Sequence, residues 1–503
     1  MSVVLVKSLT TGKSYHYDTD KHAGSGGMKD VYFSPDRSYV VQIFKTKQDA
    51  NQQERLKNIV GKYRESIFQQ AGGIYWETVY CWPTDIVIIP TTSQTALIAP
   101  CYRKEFFFQY GSQNNDMLGI KGRDKEGRWF ASSHHQQKFL DHRERGNWRN
   151  YLSICIKIAR AAKRLHAAGL AHSDLSYRNV LIDPLTGNAA MIDIDGLVVP
   201  QRFPPEVIGT PDFIAPEVLR TLPLPTGDSK KSLPCIETDR HALAVLTYMY
   251  LLYRHPLRGG KIHDSDPARD EELHMGEKAL FIEHPSDKSN RPRVADFRPT
   301  DLPFADPAKI PAKVCGPYLH DLFQKAFIDG LHHPHLRPSA DNWESALVKT
   351  VDLIQPCANP KCAQQWYVFD NSTQPACPFC GTPYKGLLPV LNLYSRRRLA
   401  DPFREDKHRL MVYTDQYLYS WHVNRLIAPN ERLTPEQKKP VGYFVLHNGQ
   451  WWFVNQTLTG LKDVTNKKDI PVGSKVELVD GLQLLLSPEE SGRLVQVQMV
   501  KGA

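Results

Sequence analysis

His172-Ser173-Asp174-Leu175-Ser176-Tyr177-Arg178-Asn179-Val180-Leu181 is the stretch on which the reading of this chain turns. It sets a carboxylate and a carboxamide five residues apart, and a second acidic segment, Ile192-Asp193-Ile194-Asp195-Gly196, brings Asp193 14 residues after Asn179. Upstream, Gly24-Ser25-Gly26-Gly27-Met28-Lys29-Asp30-Val31 lies between stretches of strand character, and a later strand ends in Gln42-Ile43-Phe44-Lys45. A glycine loop alone is a weak signal, because glycines serve ordinary hairpins as well. Downstream come Gly209-Thr210-Pro211-Asp212-Phe213-Ile214-Ala215-Pro216-Glu217, then Thr238-Asp239-Arg240-His241-Ala242-Leu243, then Leu336-Arg337-Pro338-Ser339.

In order and spacing these segments resemble the protein-kinase signature, over about residues 1–350. The resemblance implies an α+β, two-lobed protein-kinase-like fold, with an N-lobe over about 1–101 and a C-lobe over about 102–352. It also implies ATP as donor, Mg²⁺ as cofactor and Ser/Thr of a protein substrate as acceptor. Such transfer requires the γ-phosphate in line with a hydroxyl while its charge is neutralised. By the resemblance, Gly24, Ser25, Gly26, Gly27 and Val31 bind the nucleotide, the loop N–H groups meeting the phosphates. Lys45 supplies a positive charge to the α- and β-phosphates, and Asp174 takes the proton of the acceptor hydroxyl. Asn179 and Asp193 offer oxygens to Mg²⁺, which prefers such ligands. Asp195 stands where the family has glycine and is a second candidate for the metal; Asp193 is preferred because two apolar residues precede it.

Lys45 needs a carboxylate partner on the next helix, and Glu54 and Glu65 both qualify. They are eleven residues apart, three helical turns, so helix geometry leaves both open. Glu54-Arg55-Leu56 followed by Trp82-Pro83 resembles a bacterial kinase subfamily and favours Glu54. Ser173 replaces the arginine that usually receives an activation-loop phosphate. Arg178 is placed as in tyrosine kinases, whereas Gly209-Thr210-Pro211 is similar to Ser/Thr kinases, and the latter assignment is adopted. Lys29, where the family has a third glycine, reads as a solvated lysine. Glu217, Arg337 and Asp239 resemble the family's structural anchors, and His172 reads as a packing residue.

The 503 residues, 41% hydrophobic and 23% charged, describe a globular chain of about three domains. The mainly apolar run Leu243 to Tyr253 is about half the ~20 residues of a bilayer span and is expected as a buried helix. With no membrane segment and no signal-peptide pattern at the N-terminus, a cytoplasmic location is expected. The net charge of +9 is small for this length and forms no long basic block, so nucleic acid is not an expected partner.

Of nine cysteines, Cys357, Cys362, Cys377 and Cys380 cluster as Cys-x4-Cys and Cys-x2-Cys-Gly, the spacing of a zinc ribbon expected over 353–386. Short strand-like runs with Asn-Gly and Asp-Gly turns make 387–503 an all-β recognition domain. Its Arg396-Arg397-Arg398, Ser420, His422 and Asn455 loosely resemble the phosphothreonine-binding residues of a forkhead-associated sandwich. Taken whole, the chain resembles the bacterial Ser/Thr kinases encoded with tellurite-resistance systems. That resemblance implies a von Willebrand type A protein and a PP2C-type phosphatase as partners. The rival reading is a pseudokinase scaffold that binds nucleotide and proteins without transfer; Lys45, Asp174, Asn179 and Asp193 together argue against it.

Overall fold

Strand alternation builds the first layer of the computed structural model, which describes residues 3–69, 73–199, 202–205, 207–225, 227–369 and 375–502. The strands are β1 (Val3–Ser8), β2 (Ser14–Asp18), β3 (His22–Ser25), β4 (Lys29–Phe33), β5 (Tyr39–Phe44), β6 (Asp85–Ile88) and β7 (Thr95–Pro100). They form one antiparallel sheet in the order β2-β1-β6-β7-β5-β4-β3. Val6, Val41, Ala96 and Ile98 pack on one face and Phe44, Ile86 and Leu97 on the other, the period of two that a two-faced sheet requires. Helix α1 (Ala50–Asn58) covers the second face through Leu56, and a capping box between Asp49 and Gln52 starts it.

The hairpin β1–β2 precedes the glycine loop and extends the sheet. Buried Asp85 ties it down, accepting hydrogen bonds from Ser8 Oγ, Thr10 Oγ1 and Tyr15 Oη at 2.8, 2.8 and 3.0 Å. Burial, with the Asp85 carboxylate beside it, pushes the Tyr15 phenol up to about 12.

After β7 the chain turns mainly helical. α2 (Trp148–Ala167) and α3 (Ile236–Leu252) are the long helices, and the second is buried all round from Ala242 to Leu252, as an apolar helix inside a core must be. Among the described residues no helix is long and apolar enough to cross a membrane. In the segment after β7, Lys125 is buried and paired with Asp183 at 2.8 Å and Glu144 at 3.2 Å. Directly after the His172–Asn179 loop, β8 (Val180–Asp183) and β9 (Asn188–Met191) form a two-stranded hairpin. Its return strand delivers Asp193 beside Asn179, with Ile192 N donating to Asn179 O at 3.0 Å.

Two compact units divide the chain. The first comprises Met1–Gly146, Asn150–Ala312 and Leu322–Glu344; the second comprises Asn147–Arg149, Lys313–Asp321 and Ser345–Ala503. In the second, β10 (Ile354–Pro356) and β11 (Trp366–Val368) open the cysteine segment. A six-stranded and a four-stranded antiparallel sheet come after it. The larger one contains β12 (Leu387–Ser395) and β13 (Arg404–Met411); the smaller one includes β14 (Tyr417–Tyr419), β15 (Pro440–His447) and β16 (Gln450–Asn455). Leu391, Leu410, Phe444, Phe453 and Val497 belong to their shared core.

Two of the residues that carried the forkhead-associated resemblance, His422 and Asn455, are occupied internally. His422 is 2% exposed and its Nε2 lies 3.3 Å from Asp352, whose carboxylate also meets His408 Nε2 at 2.6 Å. Asn455 is fully buried and donates to the carbonyls of Leu458 and Ile470. Both side chains are spent on internal structure and offer nothing to an external phosphate.

Candidate active site

Between the sheet and the helical part of the first unit lies a cleft of about 930 Å³. Its upper wall is set by strand register. Lys29 pairs with Phe44, Val31 with Gln42 and Phe33 with Val40, and these six side chains all face the cleft. Gly24, Ser25, Gly26 and Gly27 also line it, and Gly26 N closes the turn onto Lys29 O at 2.9 Å.

The lower wall carries the acidic chemistry. Asp174 Oδ1 accepts from the Thr210 backbone N–H at 2.7 Å and its hydroxyl at 2.9 Å, while Oδ2 accepts from Asn179 Nδ2 at 2.8 Å. Asp239, at the start of α3, holds this loop by accepting from the backbone N–H groups of His172 and Ser173 at 2.7 and 3.1 Å. His172 Nε2 lies 2.9 Å from Ile192 O, tying the loop to the segment that carries Asp193. Asp193 itself is left-handed (φ 60°), a conformation aspartate tolerates through its short polar side chain. It presents a half-exposed carboxylate to the cleft, with Asp195 more enclosed beside it. Further off, Arg337 makes a bidentate pair with Glu217 at 2.8 and 2.7 Å, the anchor that the family resemblance implies.

Lys29 is not the solvated lysine expected. Its side chain is 12% exposed, and Nζ lies 2.9 Å from Asp193 Oδ1 and 2.6 Å from Asp195 Oδ1. Burial alone would lower the ammonium's pKa, but the two carboxylates hold it above its ordinary value. Burial likewise works against the charge on Asp193, and Lys29 keeps that carboxyl below the usual range.

Lys45 stands elsewhere. On β5 the cleft-facing residues are Val40, Gln42 and Phe44, so the next residue takes the opposite parity. Its Nζ binds Ser25 Oγ at 2.9 Å and Gly26 O at 2.6 Å, with Asp30 at 3.6 Å, on the outer side of the glycine turn. Neither expected carboxylate partner reaches it. The face of α1 that meets the cleft is Gln52, Arg55 and Leu56, and Glu54, about 200° around from Gln52, is exposed and paired with Arg202 at 2.8 Å. Glu65 is exposed too, and the π-helical turn Ile59–Tyr63 between them breaks the α-helical phase that set the two glutamates on one face.

In the second unit, the ligand atoms of Cys357, Cys362, Cys377 and Cys380 lie within 4.8 Å of one another, with Sγ pairs at 3.5 and 3.9 Å. A tetrahedral ion at ~2.3 Å from each sulfur needs sulfurs roughly 3.8 Å apart, so four thiolates in this arrangement fit Zn²⁺.

No protein-family model matches the chain. The serine/threonine-protein kinase PknD of Chlamydia abortus is 26% identical over 273 residues, covering 49% of this chain and 26% of that protein. PkaB of Streptomyces coelicolor, also a serine/threonine-protein kinase, is 30% identical over 120 residues, 22% of this chain and 26% of that one. The fold is protein-kinase-like. These likenesses support the protein kinase superfamily, although the chain spans only about a quarter of the length of either relative. Among solved structures, a rhoptry kinase from Toxoplasma gondii aligns with TM-score 0.41 and 13% identity, over 69% of this chain and 84% of that one.

Proposed function

We propose that this chain is an ATP-dependent protein kinase that transfers the γ-phosphate to a serine or threonine of a protein substrate. The observation that carries the reading is the setting of Asp174. Thr210 and Asn179 hold both of its carboxylate oxygens, which orients a general base in the same cleft as Asp193. A base held this way accepts the hydrogen bond of an incoming hydroxyl and takes its proton as the oxygen attacks phosphorus. Mg²⁺ fits the oxygen donors of Asn179 and Asp193, with Asp195 adjacent, and when bound would neutralise phosphate charge.

In this reading the four cysteines hold a structural zinc ion that staples the ribbon. The physiological setting stays with the family resemblance: a cytoplasmic kinase working with a von Willebrand type A protein and a PP2C-type phosphatase.

One observation favours the pseudokinase reading. Lys29 already engages both cleft aspartates, and no lysine stands at the cleft-facing positions of β5. Incubation with labelled ATP and Mg²⁺ separates the two. Asp174→Ala is expected to cut phosphorylation by ~10²–10⁴-fold, the usual value of a general base, and to leave nucleotide binding nearly intact. Phosphorylation equal to wild type refutes the mechanism, and wild-type protein that binds nucleotide without transfer is a scaffold.

A further inference from the structure

The cation that meets the cleft aspartates comes from an unexpected strand. Lys29 begins β4, immediately after the glycine turn, and shares a face with Val31 and Phe33. Its ammonium lies 5.5 Å from the centre of the Phe44 ring, its register partner, and bonds to both Asp193 and Asp195 across the cleft. Among the described residues it is the cation bonded to these two carboxylates. Arg55, also on the upper wall, is directed at Pro204 O and the Phe203 ring instead.

Charge balance gives the same answer. The cleft-facing residues of β5 and α1 nearest in role to a lysine–glutamate pair are Gln42 and Gln52, both neutral. The lower wall has gained a carboxylate at Asp195, where the family resemblance expects glycine. Moving the positive charge from β5 to the start of β4 sets it opposite that added negative charge.

We propose that Lys29, entering from the glycine-turn strand, is the residue that binds the phosphates of the nucleotide, and that Asp195 is its fixed partner. The inference rests on the kinase reading and deepens it. Lysine suits the task as a compact charge with three donors, so it serves a phosphate oxygen and a carboxylate together. Lys45, on the outer face of the turn, supports the glycine backbone.

The test is calorimetric titration of the full chain with ATP and MgCl₂, and separately with adenosine, which has no phosphate. Lys29→Met is expected to weaken Mg-ATP binding by ~10-fold or more, the loss that follows removal of one hydrogen bond between charged groups, while adenosine binding persists. Retained adenosine binding also certifies that the variant is folded. Lys45→Met is expected to cause a smaller loss than Lys29→Met. Adding Gln42→Lys to Lys29→Met is expected to recover part of the affinity, because it returns an ammonium to the same wall two register pairs away. A loss for Lys45→Met equal to or larger than that for Lys29→Met overturns the assignment. Wild-type protein that fails to bind Mg-ATP instead overturns the kinase reading itself.

Discussion

Replacing Glu217 by glutamine should cost far more than losing a surface ion pair. The Arg337 side chain is 1% exposed, and its two terminal nitrogens meet both Glu217 oxygens at 2.8 and 2.7 Å. The same guanidinium donates to the carbonyls of Gly330 at 2.8 Å and of Glu237 and Leu331 at 3.0 Å each. Glutamine keeps only one acceptor oxygen, so one of the two guanidinium bonds is replaced by an amide N–H facing a donor, and the buried cation also loses its counter-charge. Breaking a buried pair from one side costs ~3–5 kcal/mol, against ~0–1 kcal/mol for an exposed pair. The three backbone carbonyls still solvate the cation, which puts the expectation at the lower end, about 3 kcal/mol. Because the chain has two compact units, a single unfolding transition is not assumed. Hydrogen exchange of α3 peptides across a urea series reads the affected unit directly. A loss below about 1 kcal/mol refutes the reasoning, and would mean that the carbonyl cage alone holds Arg337. Glu217→Leu with Arg337→Met should recover much of the loss, since no uncompensated charge is then left inside.

Two further expectations concern the metal and the control of transfer. Elemental analysis of protein purified without chelator should find about one zinc per chain; Cys377→Ser should abolish it and leave exchange in α3 unchanged, and zinc-free wild type removes the site. Thr210 is 7% exposed and its hydroxyl bonds Asp174, so Thr210→Glu should lower the initial transfer rate by repulsion. Phosphatase-treated wild type should keep its rate; a Thr210→Glu variant faster than that would make Arg178 or Arg202 a phosphate receptor.

What could be read from the sequence was what short contiguous motifs encode. Asp174, Asn179 and Asp193 come together because one loop and one tight hairpin join them, and Asp239 meets the backbone it was expected to hold. Lys45 and Glu54 do not meet, because the place of each depends on a phase. One residue of parity at the end of β5 decides which face a side chain takes, and motif spacing does not carry that parity. A signal for Lys29 was nonetheless present. It lies two residues before Val31 and therefore on its face, and the doubled aspartates of Asp193-Ile194-Asp195 call for a nearby cation. His422 failed for a different reason. Its partner Asp352 is 70 residues away in sequence, and no local pattern announces so distant a burial.

The hairpin ahead of the glycine turn decides where a transferable piece carrying the cleft has to begin. A chain cut to open at β3 would leave the Asp85 carboxylate enclosed without the hydroxyls that now satisfy it. It would also strip β6 of its neighbour along Val87 and Ile88, turning an interior strand into a raw border. Unpaired strand borders recruit other chains. For this protein residues 3–18 are therefore a solubility element of the first unit, and a fragment without them is expected to precipitate.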